Sequence, residues 1–392
     1  MRGLKTFDVK VDAGSHDRFF CPIYVELKNL ANTGFRQAFV RDLEINKTFP
    51  AQIYSAKNGI VRVYWIIDEL RKGSGKRYEI SLSESRTELS DLPIVKLEDE
   101  SGKVSVYIGE NLFTSYHYGK EVIRPFLFPV VGPKGHSVTR NYPMIPDVPG
   151  ETKDHLHHRS LWTAHGDING VDDWSESPDC GRIVHRRFEV LVSGPVFGEL
   201  VALNDWVSKE GVKVIEERRR IRVYNTPDYS RLIDLDVKFT ATEGDVKFGD
   251  TKEGGIISVR VASSMDVVRG GRIENSYGAV NEEESWGRRA QWCDYSGPVK
   301  NVWVGIAIFD FPSNLRHPTY WHARNYGLMT ANPFGISYFT GGPRGIGDYK
   351  LKEGDTLEFK YRIFIHEGDA EKGGVREAYH NYINPPKVII ES

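Results

Sequence analysis

Histidine is the side chain whose ordinary pKa lies closest to neutrality, so a crowd of histidines is where proton transfer or metal binding is sought first. Twelve histidines are spread over 392 residues, yet His155, His157, His158 and His165 fall within eleven positions. Simple proportion would place fewer than one there. The segment reads Asp154-His155-Leu156-His157-His158-Arg159-Ser160-Leu161-Trp162 and continues as His165-Gly166-Asp167-Ile168-Asn169-Gly170-Val171-Asp172-Asp173-Trp174. If its start is extended, His155 and His157 share one face and His158 takes the other. Imidazoles on one face can bind a metal, exchange protons near neutral pH or hydrogen-bond a polyol. Capping a loop or satisfying a buried polar position competes with function for any single histidine. For the whole cluster function is favoured, because a glycine-punctuated loop carrying Asp167, Asn169 and Asp172 is costly to order without a ligand or dense hydrogen bonding.

Two later segments have related chemistry. His317-Pro318-Thr319-Tyr320-Trp321-His322-Ala323-Arg324-Asn325-Tyr326-Gly327, followed by Asn332-Pro333-Phe334-Gly335, interleaves aromatics with His, Arg and Asn. A sugar subsite needs that mixture, an apolar platform beside planar donors. A packed loop with Arg324 in an ion pair is the plainer alternative. His322 and Arg324 share a face if the piece is extended. Phe248-Gly249-Asp250-Thr251-Lys252-Glu253-Gly254-Gly255 leads into a strand carrying Arg260. A carboxylate at a strand mouth beside a lysine suits a general acid or base, although the same residues make a good hairpin turn.

The elements that must position these residues are read from hydrophobic period. Lys5 to Asp12 alternates polar and apolar, as a half-buried strand does. Further strands are expected at Cys21–Leu27, Ile60–Ile67, Arg77–Ser83 and Lys103–Ile108, with turns at Asn58-Gly59, Lys72 to Gly75 and Ser101-Gly102. The expectation is an N-terminal β-sandwich domain over residues 1–108, ending near Asp91-Leu92-Pro93. A large curved antiparallel β-sandwich over 109–392 should follow and carry the site. Its strands are expected at 184–193, 198–208, 212–223, 230–240, 255–262, 302–309, 336–340 and 356–366. One helix is expected, within Ala370–Ile383, where Val375, Ala378, Tyr379 and Tyr382 recur at helical spacing before Asn384-Pro385-Pro386. Strands do not alternate with helices, which excludes a parallel α/β fold.

Composition narrows the classes. The formal net charge of -2 gives no bulk field to gather nucleic acid or anionic lipid. The basic run around Arg218 to Arg222 is diluted by Glu216 and Glu217 and should form a solvated face or cross-strand pairs. Three cysteines, Cys21, Cys180 and Cys293, are too few and scattered for a disulfide framework. The N-terminal residues lack a signal-peptide core, and the longest apolar stretch, Val302 to Phe311, is about half of the roughly 20 residues a membrane span needs. The expected location is the cytoplasm, with no membrane or nucleic-acid partner; a homo-oligomer is compatible with the composition. Phosphate-binding loops, dinucleotide fingerprints, zinc-protease motifs and nucleophile elbows are absent.

The three segments together resemble the PmoA-like family of β-rich proteins, often labelled methane oxygenase. The run from Asp154 to Trp174 looks like its signature. Gly249 to Gly255, Tyr320 to Gly335 and the ending from Tyr361-Arg362-Ile363 to Tyr382 are similar to its later blocks. Two positions depart from the pattern. Leu156 stands where the family commonly has proline, which removes a source of rigidity, and Asp173 stands where an aromatic is usual, which adds a charge near the site entrance. The label conflicts with physics, because the subunit whose name it borrows is an integral membrane protein and this chain has no span. The resemblance implies carbohydrate chemistry and, by analogy, an aldose-mutarotase type of supersandwich.

The resulting expectation is acid/base chemistry on a sugar or glycoside, by epimerisation, elimination or hydrolysis. His157, His165 and Glu253 would transfer protons. His155, His158, Arg159, Asp167, Asn169, Asp172, Lys252, Arg260, His322, Arg324 and Asn332 would hold substrate, with Trp162, Trp174 and Trp321 as stacking surfaces. No cofactor is expected. One alternative is a divalent metal held by His155, His157, His165 and Asp167; another is a non-catalytic carbohydrate-binding protein.

Overall fold

The structure is a computed structural model in which residues 4–28, 30, 34–55, 60–85 and 94–391 are described. The expected turn at Asn58-Gly59 and the expected boundary at Asp91-Leu92-Pro93 lie outside them.

Alternating side chains build the first module. Val9, Val11, Ile23, Val25, Val40, Val63, Ile80 and Leu82 point inward from successive strands and form one buried cluster around Trp65. The seven strands run in the order Arg18–Leu27, Val61–Leu70, Lys47–Ser55, Gln37–Asp42, Gly75–Ser83, Leu4–Asp12 and Lys387–Ile390. The strand Lys47–Ser55 pairs with Gln37–Asp42 through its first half and with Val61–Leu70 through its second, so it turns the corner of the module. Residues 387–390 pair antiparallel with Val9 to Asp12, so both ends of the chain share this module.

Two eight-stranded antiparallel sheets form the larger module. One runs Trp321–Arg324, Leu328–Ala331, Gly254–Arg260, Leu161–His165, Phe126–Val130, Asn111–His117, Lys103–Ile108 and Val95–Asp99. The other runs Arg182–Val192, Phe197–Val207, Lys213–Tyr224, Ser230–Thr240, Thr356–Glu367, Val302–Asp310, Trp292–Val299 and Arg272–Asn275. Val104, Leu161, Ile257 and Val259 from the first share one core with Leu200, Ile221, Leu235, Ile306 and Ile363 from the second. The result is a supersandwich.

Several sequence expectations change. The strands Val95–Asp99 and Lys103–Ile108 pair within the larger module's sheet, while the first module's strands run to Ser83 and are completed by Lys387–Ile390. Ile336–Thr340 is a short helix, not a strand, closed by Gly341 at φ 69. The C-terminal helix spans Val375–Ile383, within the expected Ala370–Ile383. The basic run makes cross-strand pairs: Arg218 with Glu189 at 2.7 Å, Arg220 with Asp236 at 2.5 Å and Arg222 with Glu199 at 2.7 Å. The three cysteines are free and buried. Among the described residues no helix is long and apolar enough to cross a membrane.

Candidate functional site

The two-residue period of four adjacent strands creates the site. On Leu161–His165, Leu161 enters the sandwich core while Trp162 and Ala164 join a separate cluster on the opposite face with Phe126, Phe128, Trp174 and Leu328. On Trp321–Arg324, Trp321 and Ala323 are core residues, so His322 and Arg324 project from the opposite face. Over that face lies a cleft of about 700 Å³ lined by His155, His157, His158, Gly166, Asp172, Trp174, Ser175, Thr251, Lys252, Glu253, His322, Arg324, Tyr326 and Leu328. All three sequence segments therefore meet in one place.

The histidine segment is not an extended strand. His155 and Ser160 have φ of 36° and 58°, so the turn between them carries two non-glycine residues in the left-handed region. Consequently His155, His157 and His158 all reach the cleft, instead of splitting between two faces. Two buried arginines hold this irregular backbone. Arg140 donates to the carbonyls of Thr152 (3.2 Å), Asp154 (3.0 Å), His155 (2.8 Å) and His158 (3.3 Å) and to Asp154 Oδ1 (2.5 Å). Arg124 donates to the carbonyls of His157 (3.3 Å), Asp173 (3.1 Å), Trp174 (2.8 Å) and Ser175 (2.5 Å). These bonds occupy carbonyls that no regular ladder could satisfy. Arg260, also buried, forms an ion pair with Asp154 Oδ1 at 2.8 Å and hydrogen-bonds His158 Nδ1 at 3.1 Å. Burial works to raise Asp154, but the hydrogen bond and charge of Arg260, with His155 and Arg140, overcome it and hold the carboxyl at about 2.

His322 has the clearest chemical state. Its Nδ1 lies 2.9 Å from the Lys252 carbonyl, which can only accept, so Nδ1 carries the proton. Its Nε2 is therefore a bare lone pair, buried and without a partner among the described residues. Burial pushes the ring down to about 4, against the opposing pull of the Lys252 carbonyl and Glu253. His157 is also held at about 4, by burial and then by Arg124 and His155. Its ring meets His158 edge-on at 4.4 Å and Trp174 at 5.9 Å. Glu253 pairs with Lys252, and its charge acts on both His157 and His322. Arg324 pairs with Glu282 at 2.8 Å and lies over Tyr326. Asp172 accepts from the backbone of Trp174 and Ser175 and from the Ser175 hydroxyl.

Other expected site residues are placed elsewhere. His165 is fully buried; its Nε2 meets the Gly249 carbonyl at 3.0 Å and its ring packs on Phe334. It has the parity of Leu161, which turns it into the sandwich rather than the cleft. Trp162 and Trp321 are also buried, and Trp321 Nε1 donates to Ala290. Arg159 forms a two-pronged pair with Glu176 at 2.6 Å for each bond. Asp167 accepts from the Gly170 amide, and Asn169 clamps the backbone at Lys247 and Asp245. Asn332 donates to the Thr251 and Lys252 carbonyls and accepts from the Phe334 and Gly335 amides, so it holds the Glu253 turn from behind. Arg260 acts through His158 and Asp154. Asp173 is buried with both oxygens unpartnered, and burial raises it well above the usual carboxylate range despite Arg124. Burial thus favours its neutral form and works against a charge at the entrance. The metal set is not assembled, because His165 and Asp167 are engaged outside the cleft. Among the described residues no group of three or more His, Cys, Asp or Glu side chains is arranged to hold a metal ion.

Sequence reasoning missed Thr251, Ser175, Leu328 and Tyr326 in the lining, and Arg124 and Arg140 beneath it. Tyr326 had a signal: it continues the alternate spacing of His322 and Arg324. The two arginines had none, since most of their partners are backbone carbonyls well along the chain.

Fold and site together define a two-module β-protein with a polar, histidine-lined cleft on the outer face of its supersandwich. The chain belongs to DUF6807, a family of unknown function, whose model matches residues 103–380 and whose description names no PmoA-like protein. No curated protein matches. Solved structures similar to it include a glycosyl hydrolase family 38 protein from Enterococcus faecalis (9% identity, TM-score 0.44), an alpha-mannosidase from Enterococcus faecalis V583 (10%, 0.45) and a GalM/aldose epimerase homologue from C. elegans (9%, 0.29). They align with 99%, 99% and 71% of this chain and with 47%, 46% and 99% of their own. The chain thus spans just under half the length of the first two.

Proposed function

We propose that the cleft is the active site of an enzyme doing acid/base chemistry on a sugar or glycoside. The observation that carries this is His322, a neutral imidazole with a proton-free, unpartnered Nε2 at a cleft that also holds Glu253. A ring held this way accepts a proton from a hydroxyl, a water or a carbon beside a carbonyl, and costs nothing to deprotonate first. Glu253, anchored to Lys252 and within the field of His157 and His322, is the second proton-handling group. Epimerisation, elimination and hydrolysis all need such a pair. His157 and His155 edge the cleft as polyol partners, with Trp174 and Tyr326 as its aromatic walls. His165 drops out of the catalytic set. The carbohydrate chemistry implied by the PmoA-like resemblance agrees with this reading. Free buried cysteines accord with work on a small molecule in the cytoplasm.

Incubation with a panel of free sugars and methyl glycosides in D2O, followed by NMR, tests the proposal. Turnover should appear as deuterium gain at a sugar carbon, loss of a substituent or release of an anomeric signal. His322→Ala and Glu253→Gln should each lower it by about 100-fold or more. Unchanged spectra for every compound overturn the catalytic reading, and saturable binding without turnover at any pH would make the protein a carbohydrate binder.

A further inference from the structure

The cleft contains two imidazoles whose protonation patterns are set in opposite senses by what lies behind them. His322 gives its Nδ1 proton to the Lys252 carbonyl and leaves Nε2 as an acceptor. His158 is reversed. Its Nδ1 faces Arg260 Nη1 at 3.1 Å, and a guanidinium only donates, so Nδ1 is the acceptor and the proton resides on Nε2. The His158 ring lines the cleft, stacked against His155 at 4.7 Å and Trp162 at 5.4 Å, so its orientation is fixed as well. Asp154 keeps Arg260 in place through a 2.8 Å pair. The cleft's charges are also spoken for. Its two cations are Lys252, paired with Glu253, and Arg324, paired with Glu282; its two anions are Glu253 and Asp172, the latter already accepting two backbone amides.

We infer that His158 and His322 form a fixed donor–acceptor pair for an uncharged polyhydroxy ligand, His158 giving a hydrogen bond from Nε2 and His322 receiving one at Nε2. The inference rests on the cleft being a sugar site and narrows its substrate class. A hydroxyl both donates and accepts, so the hydroxyls of a polyol can meet one N–H and one lone pair in the same cleft. A phosphate or carboxylate offers acceptors only. It would leave His322 Nε2 facing a lone pair and would find no unpaired cation among the described residues lining the cleft to offset its desolvation. Arg260 and Asp154 are positioning residues, acting through the tautomer of His158. Burial supports the pair by keeping both rings neutral: His322 is held at about 4 and His158 well below its ordinary value.

Two readouts on the unmodified protein test this. Neutron diffraction from deuterium-exchanged crystals should place a deuteron on Nδ1 but not Nε2 of His322, and on Nε2 but not Nδ1 of His158. Either ring in the other tautomer, or doubly protonated, overturns the pair whatever the enzyme does. Calorimetric titration should show neutral aldoses or methyl glycosides binding at least about tenfold more tightly than the matching 6-phosphates and uronic acids, the cost of one mispaired hydrogen bond. Equal or tighter binding of the charged forms overturns the ligand class, as does absence of binding by every compound. Neutral sugars that bind but are never turned over would support this inference while ending the catalytic proposal.

Discussion

At the scale of single residues, the site is governed by what burial does to ionisable groups. Burial favours the neutral form of the cleft histidines His157, His158 and His322, and it raises the carboxyl of Asp173 well above its ordinary value. For Asp173 the native state holds a proton that the unfolded chain releases at an ordinary carboxylate pKa. Stability from this group is therefore full at low pH and is lost as pH rises through the window above the usual value. Asp173→Asn removes that cost while keeping the shape. The variant should be more stable than the parent near pH 8, with an advantage that shrinks toward pH 4 in urea denaturation. A constant difference across that range would mean that Asp173 is ionised in the native protein.

At the scale of elements, the cleft depends on how closely the turn at Lys252 to Gly254 approaches the strand Leu161–His165. The Gly166 amide donates to the Glu253 carbonyl at 2.7 Å, and a Cβ at Gly166 would lie 2.5 Å from that same oxygen and 3.2 Å from Glu253 Cβ. Both neighbours are backbone or backbone-proximal, so the chain itself must move. Gly166→Ala should cost about 1–3 kcal/mol in chemical denaturation, as overpacking does. It should also reduce turnover more than the stability loss explains, because Glu253 is displaced. Wild-type turnover in that variant would show that Glu253 has latitude. Arg140 and Arg124 belong to this scale too: each ties one stretch of loop into a rigid ledge, which an irregular segment bearing two left-handed non-glycine residues could not form alone.

At the scale of the whole molecule, the buried histidines make stability depend on acidity. His165 and His322 are held at about 4 against an ordinary 6.5. Their folded values lie below their unfolded ones, so the unfolded chain takes up protons first as pH falls. Stability is thus complete above about 6.5 and is lost progressively toward 4. At about 1.4 kcal/mol per pKa unit, each ring corresponds to roughly 3 kcal/mol. Asp266, raised by burial to about 6, and Asp173 and Asp236, also raised by burial, act in the opposite sense, but the lowered histidines outnumber them. The melting temperature should fall from about pH 7 to about pH 4.5, and a flat profile would contradict the buried neutral rings. The two modules are joined by specific polar contacts: Gln52 Oε1 accepts the amides of Val196 and Phe197, Tyr54 donates to Glu199, and Arg18 reaches Asn381.

Read alone, the sequence determined the β-rich character, most long strands of the sandwich, and the three segments that carry the cleft. Those follow from local period and composition, because a strand's alternation and a loop's glycines are written in neighbouring residues. Once Trp321 to Arg324 is known to be a strand, the turn of His322 toward the cleft face and of Trp321 toward the core follows from the same alternation. Tertiary structure alone decided the rest. It sent His165 into the core, tied Arg159 to Glu176, placed Val95–Asp99 and Lys103–Ile108 in the second module, and brought Arg124, Arg140 and Arg260 under the histidine turn. The reason is physical: these outcomes depend on which face of a strand meets another sheet and on side chains bonding to carbonyls far along the chain. His158 and His322 make the point most sharply. Their identity as histidines is in the sequence, but which nitrogen of each carries the proton is set by Arg260 and by the Lys252 carbonyl, one of them about a hundred residues from its ring and the other seventy.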